Sequence, residues 1–261
     1  MPLGHYDYRL RDVRVDYGRT TALALGELDL VHGEAVAVVG PSGAGKTTLL
    51  RVLGLAQTPS TGTVTINDRP AGALTNPELR RARADIGFVH QDFRLVPNLR
   101  VLQNVLCGRL GRMSLLASLR ALLAPSKRDV GAVYNILERV GIEEKLYQRT
   151  DTLSGGQQQR AAIARALYQQ PRVLLADEPI SNVDPARADE TVRLLVDICR
   201  GARLTLCASM HNIDLARALF DRIIGLREGR IVFDRTADTL TETEVAELYR
   251  LSESADGRES R

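Results

Sequence analysis

Val13, Val15 and Tyr17 alternate with Arg14 and Asp16, a period of two that predicts a half-exposed strand. Gly33-Glu34 is a turn signal. The apolar run Ala35 to Val39 behind it is too short for a helix and predicts a buried strand. Gly40 to Gly45 is a glycine-rich loop, and Lys46 to Leu53 reads as a helix stopped by Gly54. Val64 to Ile66 and Ile86 to Val89 predict further strands. From about Asp92 to Gln170 the pattern becomes helical. Val133, Ile136, Leu137 and Val140 recur at the spacing of one helix face, closed by Gly141. A second helix is expected from about Gly156 to Tyr168, before Pro171. Strand patterns return at Val173 to Ala176 and Leu204 to Ala208. Arg222 to Leu226 and Arg230 to Asp234 then form a hairpin turning at Glu228-Gly229. Thr241 with Glu244 is a capping box for a last helix through Tyr249. The polar tail Ser252 to Arg261 is expected to be disordered.

The organisation predicted is an α/β core that is discontinuous in sequence, residues 1–91 plus 171–240. Residues 92–170 form a helical insert, and 241–261 a C-terminal helix and tail.

Composition narrows the function. Of 261 residues, 44% are hydrophobic and 26% charged, ordinary values for a globular protein. The net charge of +3, from 35 basic and 32 acidic residues, is too balanced for a dedicated nucleic-acid binder. No apolar run approaches the roughly 20 residues of a membrane span, and Met1 to Arg14 lacks the apolar stretch of a secretory signal. A cytoplasmic chain is expected. Cys107, Cys199 and Cys207 fit reduced thiols, and His5, His32, His90 and His211 share no metal-ligand spacing.

Two motifs carry chemistry. Gly40-Pro41-Ser42-Gly43-Ala44-Gly45-Lys46-Thr47 matches the P-loop pattern. Its glycines let successive N–H groups turn inward on a phosphate, and the following helix adds its positive end. Lys46 places a cation on the β- and γ-phosphates of ATP, the Thr47 hydroxyl binds Mg²⁺, and Thr48 extends the loop. Leu153-Ser154-Gly155-Gly156-Gln157 is a second glycine-rich helix start with a hydroxyl donor at Ser154. One nucleotide needs one P-loop. A second phosphate-binding helix end makes sense if it serves a nucleotide held by another subunit.

Together these motifs resemble the nucleotide-binding subunits of ABC transporters, and the likeness runs from about Tyr8 to Tyr249. The resemblance implies a RecA-like P-loop NTPase core with an antiparallel β subdomain and an α-helical ABC subdomain. Val173 to Asp177 resembles the Walker B strand, with Asp177 on Mg²⁺, directly or through water, and Glu178 as general base. Gln91 is similar to the Q-loop residue that senses Mg²⁺ and the γ-phosphate, and His211 to the switch histidine. Tyr17 stands where the family stacks an aromatic ring on adenine. Ser181-Asn182-Val183-Asp184 stands at the D-loop, where Asp184 keeps the family residue and Asn182 departs from the usual alanine. The implied assembly is a head-to-tail dimer with two composite sites. Ser154, Gly155, Gly156 and Gln157 of one copy complete the site of the other.

Leu99 to Gly111 and Tyr147 to Arg160 are similar to the phosphonate-import branch of the family. The resemblance thus implies the motor of an importer for phosphonates or related phosphorus oxyanions. Such a motor would sit peripherally on the cytoplasmic face of the inner membrane, with permease subunits, a substrate-binding protein and no nucleic acid as partners. An exporter or release complex, a soluble ABC ATPase and a P-loop kinase are the competing readings. The kinase has no use for Leu153 to Gln157. The segment Leu95 to Ser126, with Leu115, Leu116, Leu119, Leu122 and Leu123 beside Arg109, Arg112, Arg120 and Lys127, leaves two readings open. It packs the helical region, or it forms a groove for a permease helix. Arg109 and Arg112 count as exposed on that surface.

Overall fold

In the computed structural model, residues 8–179 and 185–249 are described, the side chains of 185–188 apart. The D-loop positions Ser181 to Asp184 and the tail from Ser252 lie outside the described residues.

The chain opens with β1 (Tyr8–Tyr17) and β2 (Thr20–Leu30), antiparallel partners. Tyr8, Leu10, Val13 and Val15 of β1 are buried. The three-residue step from Leu10 to Val13 comes from Asp12, whose φ of 51° kinks the strand and resets its alternation. Gly62 packs there, since a Cβ on it would lie 2.2 Å from the Asp12 carbonyl oxygen. Strand β2 was not expected. Its apolar positions change phase, with Leu23 and Leu25 buried on one side of Gly26 and Leu28 and Leu30 on the other. Next come β3 (Ala35–Val39), α1 (Lys46–Leu53), β4 (Thr61–Ile66) and the short β5 (Arg69–Pro70). Strands β2-β1-β4-β5 make an antiparallel sheet in that order.

The middle of the chain is mostly helical: α2 (Asn76–Ala84), β6 (Ile86–Val89), α3 (Val101–Leu106), α4 (Leu115–Leu123) and α5 (Lys127–Arg139). Then follow α6 (Gly155–Tyr168), β7 (Val173–Ala176) and α7 (Pro185–Gly201). The apolar face of α5 buries Val133 and Leu137, as its periodicity requires. Val140 and Ile142 beyond it are buried too. Strands β6 and β7 are parallel, pairing Ile86 with Val173 and Val89 with Ala176.

The last stretch returns to sheet: β8 (Thr205–Met210), α8 (Ile213–Leu219), β9 (Arg222–Arg227), β10 (Arg230–Thr236) and α9 (Glu242–Tyr249). Strand β3 lies between β8 and β9, parallel to both. The β9–β10 turn has Glu228 at φ 48° and Gly229 at φ 75°, the left-handed pair that a tight hairpin demands. The Thr241–Glu244 capping box forms as expected: Glu244 Oε2 accepts from the Thr241 N–H at 3.0 Å. By packing, Met1–Leu74 with Thr205–Arg261 forms one compact unit and Thr75–Leu204 another.

One ion cluster ties the first unit together. Arg222 donates to both carboxylate oxygens of Asp234, at 2.6 and 2.5 Å, and to Glu34 at 3.2 Å. It also reaches the Asp29 carbonyl at 2.9 Å. The two carboxylates hold its guanidinium well above the usual arginine pKa. Arg222→Met should lower stability by about 1–3 kcal/mol, because the half-buried Asp234 and Glu34 lose the fork that satisfied them. A thermal melt measures this, and an unchanged midpoint would show that water replaces the guanidinium at no cost.

Candidate functional site

The P-loop connects β3 to α1. Gly40, Gly43 and Gly45 have φ of 151°, 77° and 100°, and two of the three are sterically compelled. A Cβ on Gly40 would lie 1.9 Å from the Leu226 carbonyl oxygen, and one on Gly45 2.6 Å from that of Ala22. The loop is pinned by Ala44 N–H to Pro41 O at 3.2 Å and Gly229 N–H to Ala44 O at 2.9 Å. Lys46 is buried, and its Nζ donates to Gly40 O at 2.8 Å and Pro41 O at 3.1 Å. No side chain caps α1, whose N-cap is Gly45 itself, so its first-turn N–H groups face the loop. Thr47 and Thr48 are half-buried in that turn. An inward-curled backbone, a helix N-terminus and a fixed ammonium fit a polyphosphate. Gly40→Ala should weaken ATP binding by at least about tenfold, because the loop must move to make room for the methyl. A titration with a fluorescent ATP analogue checks this, and wild-type affinity would mean that the loop yields freely.

Sequence reasoning missed one neighbour of this loop. Tyr249 of α9 stands in hydrogen-bond contact with the Gly40 backbone, and burial pushes its phenol pKa up. No local pattern connects a C-terminal tyrosine with residue 40.

His211 directly follows β8, and Asn212 after it caps α8 by accepting the Leu215 N–H at 3.0 Å. Val39 pairs with Met210, so Gly40 and His211 leave the same carboxyl edge of a parallel pair. Tyr17, despite the parity of Val13 and Val15, is 46% exposed at the end of β1, and its hydroxyl donates to Gln57 at 3.2 Å. Its ring face is available for stacking.

In the second unit, Gln91 follows β6 and Asp177-Glu178 follow β7, again at one carboxyl edge. The Asp177 N–H donates to Val89 O at 2.9 Å, which locks the two strand ends together. Asp177 is buried. Glu178 is half-buried with φ 45°, a left-handed conformation costly for a glutamate and concentrated at functional sites. Beyond Gln91, Phe93 and Arg94 are also left-handed, at φ 56° and 47°. Arg165 of α6 holds both, donating to the Phe93 carbonyl at 2.6 Å and the Arg94 carbonyl at 2.5 Å. The helix that begins at the Ser154 motif thus grips the turn after Gln91. His90 stacks on Phe88, with ring centroids 4.2 Å apart. Burial, helped by Arg94 and Arg165, lowers its pKa to about 4 and keeps it neutral at physiological pH.

Ser154 and Gln157 cap each other. Gln157 Oε1 accepts the Ser154 N–H at 3.1 Å, and Ser154 Oγ accepts the Gln157 N–H at 3.4 Å. Ser154 and Gly155 are exposed, and Gly156 beside them is half-exposed, so the start of α6 is open to a ligand from outside the chain. Among the described residues no cluster of three or more His, Cys, Asp or Glu forms a metal site. The Thr47 hydroxyl in the first unit, and the Gln91 amide and Asp177 carboxylate in the second, are hard oxygen donors of the kind that Mg²⁺ prefers. Asp184 lies outside the described residues.

Arg112 is exposed as expected, and Arg109 is half-buried. The Arg109 guanidinium sits 5.5 Å from the centre of the Tyr168 ring and reaches Gln170. Arg112 donates to Asp85 at 2.6 Å and to the Ala84 carbonyl at 2.7 Å. Reversing the two charges would therefore also remove the contacts with Asp85 and Tyr168.

Residues 26–181 match the family model described as ABC transporter. A Phosphonates import ATP-binding protein PhnC of Pseudomonas putida is 44% identical over 89% of this chain and 86% of its own. One of Anaeromyxobacter dehalogenans is 46% identical over 94% of this chain, which spans about half (49%) of that protein's length. Among solved structures, the dimeric MJ0796 bacterial ABC transporter cassette is 33% identical at a TM-score of 0.76, over 88% of this chain and 98% of the cassette. Clostridium perfringens cbiO1, part of the ABC transporter complex cbiONQ, is 29% identical at a TM-score of 0.78, over 96% of this chain and 98% of its own. No helix among the described residues is long and apolar enough to cross a membrane. The chain belongs to the ABC transporter family, as one of its ATP-binding, ATP-hydrolysing subunits.

Proposed function

We propose that this chain is the motor of an importer for phosphonates or related phosphorus oxyanions, working as a head-to-tail dimer on permease subunits at the cytoplasmic face of the membrane. The observation that carries the reading is the pairing of a sterically enforced P-loop with a second, outward-facing glycine-rich helix start. Relatives named for phosphonate import are 43–44% identical to this chain over most of its length. Residues 92–170 act as the helical subdomain of an α/β core.

Lys46 and the loop N–H groups hold the phosphates, with His211 facing the γ-phosphate and Tyr17 stacking on adenine. Thr47, Gln91 and Asp177 would hold Mg²⁺, which would supply charge neutralisation on the phosphates. Glu178 orients the attacking water and takes its proton. Ser154, Gly155, Gly156 and Gln157 close the site of the partner copy, with Asp184 near the dimer contact. Since the motor never touches the cargo, the test uses the whole transporter. With its permease and substrate-binding protein in vesicles, ATPase activity should rise on adding a phosphonate and not on adding an amino acid. Stimulation by some other solute class would overturn the substrate assignment and leave the ATPase assignment standing.

A further inference from the structure

Helix α4 is built inside out. Its half-buried positions are Ser118, Ala121 and Leu122. Its other leucines face solvent: Leu115 is 84% exposed, Leu116 80%, Leu119 54% and Leu123 74%. At about 100° per residue, these four fall within an arc of about 100° on the outer side of the helix. A helix folded for its own core presents leucine inward and small or polar residues outward. This one is anchored by its small side. Ser114 caps it and Gln103 reaches the Leu122 carbonyl at 3.4 Å, so the outward leucine face is held in place by the fold.

Along the sequence, the stretch that carries α4 is basic. Residues 93–128 contain seven basic residues and no acidic one, in a chain whose net charge is only +3; two of the seven, Arg94 and Arg112, pair with Asp92 and Asp85 outside the stretch. Arg120 on the helix, and Lys127 and Arg128 just beyond it, are exposed.

That charge discriminates among occupants. A second copy of the chain would bring the same basic face against itself. The short cytoplasmic loops of a permease carry an excess of lysine and arginine, which disfavours them against an acid-free basic stretch. An anionic bilayer surface suits both features, since it accepts a leucine face at the acyl boundary and attracts flanking basic side chains. We propose that α4 is an interfacial contact that lays Leu115, Leu116, Leu119 and Leu123 into an anionic lipid surface, steadied by Arg120, Lys127 and Arg128. This goes beyond the transport reading, because it gives the subunit a contact with the membrane independent of any permease.

The test is vesicle flotation of the full chain, with phosphatidylcholine vesicles alone or containing about one-third phosphatidylglycerol, at roughly 0.05 and 0.5 M salt. Wild type should bind the anionic vesicles at least about tenfold better than the neutral ones, and the preference should shrink at high salt. Leu116→Ser with Leu119→Ser should lower partitioning by about tenfold or more, with the thermal midpoint and basal ATPase activity unchanged. Arg120→Glu with Arg128→Glu should abolish the anionic preference. Equal binding to both vesicle types, or wild-type binding by the leucine variant, overturns the proposal. If the leucine variant instead loses co-purification with the permease while its vesicle binding is intact, the face is a protein contact and the lipid assignment falls.

Discussion

Glu178→Gln should lose about 10²–10⁴-fold in ATP turnover while still binding ATP. The amide preserves size and reach, so the turn at φ 45° after β7 and the lock between Asp177 and Val89 should survive. What disappears is the ability to accept a proton from the attacking water. Removing a negative charge from the neighbourhood of the phosphates also favours the nucleotide-bound state. The variant should therefore accumulate on gel filtration as an ATP-loaded dimer. Turnover near the wild-type rate would remove Glu178 from the role of base. Loss of ATP binding would mean that the substitution disturbed the strand end instead.

Lys46→Ala and Ser154→Arg should each abolish hydrolysis, and a mixture of the two should restore part of it. Lys46 is buried with its ammonium held by the Gly40 and Pro41 carbonyls, so its loss removes the cation and loosens the loop at once. That variant should fail at nucleotide binding. Ser154 is exposed and its partner, Gln157, lies within the same turn. Arginine there costs about 1 kcal/mol of helix cap and should leave the chain folded, with ATP binding intact and dimer closure blocked. In a mixed dimer, one site combines an intact P-loop with an intact Ser154 face. If subunits pair at random, about half the dimers are mixed, and each keeps one complete site of two. Activity should then approach about a quarter of wild type. A mixture no more active than either variant, with mixed dimers shown by cross-linking, would argue against a composite site.

The two units differ in how openly they appear in the amino-acid order. Strands β3, β6 and β7 and helix α1 begin and end where the apolar runs and glycines place them. Each is short and mostly buried, and glycine or a loop residue bounds it. Pattern and burial therefore agree without help from distant residues. The P-loop was legible for the same reason, since its glycines answer to a backbone geometry that other residues cannot adopt.

Strand β2 was not legible, because Gly26 changes the phase of its leucines and only pairing with β1 makes the two halves one strand. Tyr249 against Gly40, and Arg165 against the carbonyls after Gln91, join residues far apart in the chain, and no periodicity encodes such a meeting. The contacts of Arg112 with Asp85 and of Arg109 with Tyr168 likewise join residues far apart in the chain. Helix α4 states the division most plainly. Its spacing determines that Leu115, Leu116, Leu119 and Leu123 share a face, since 3.6 residues per turn is a local property. Whether that face turns inward or outward depends on the rest of the unit. Ser118, Ala121 and Leu122 fit the surface that α4 lies on, and the fold leaves the larger leucines to meet something else.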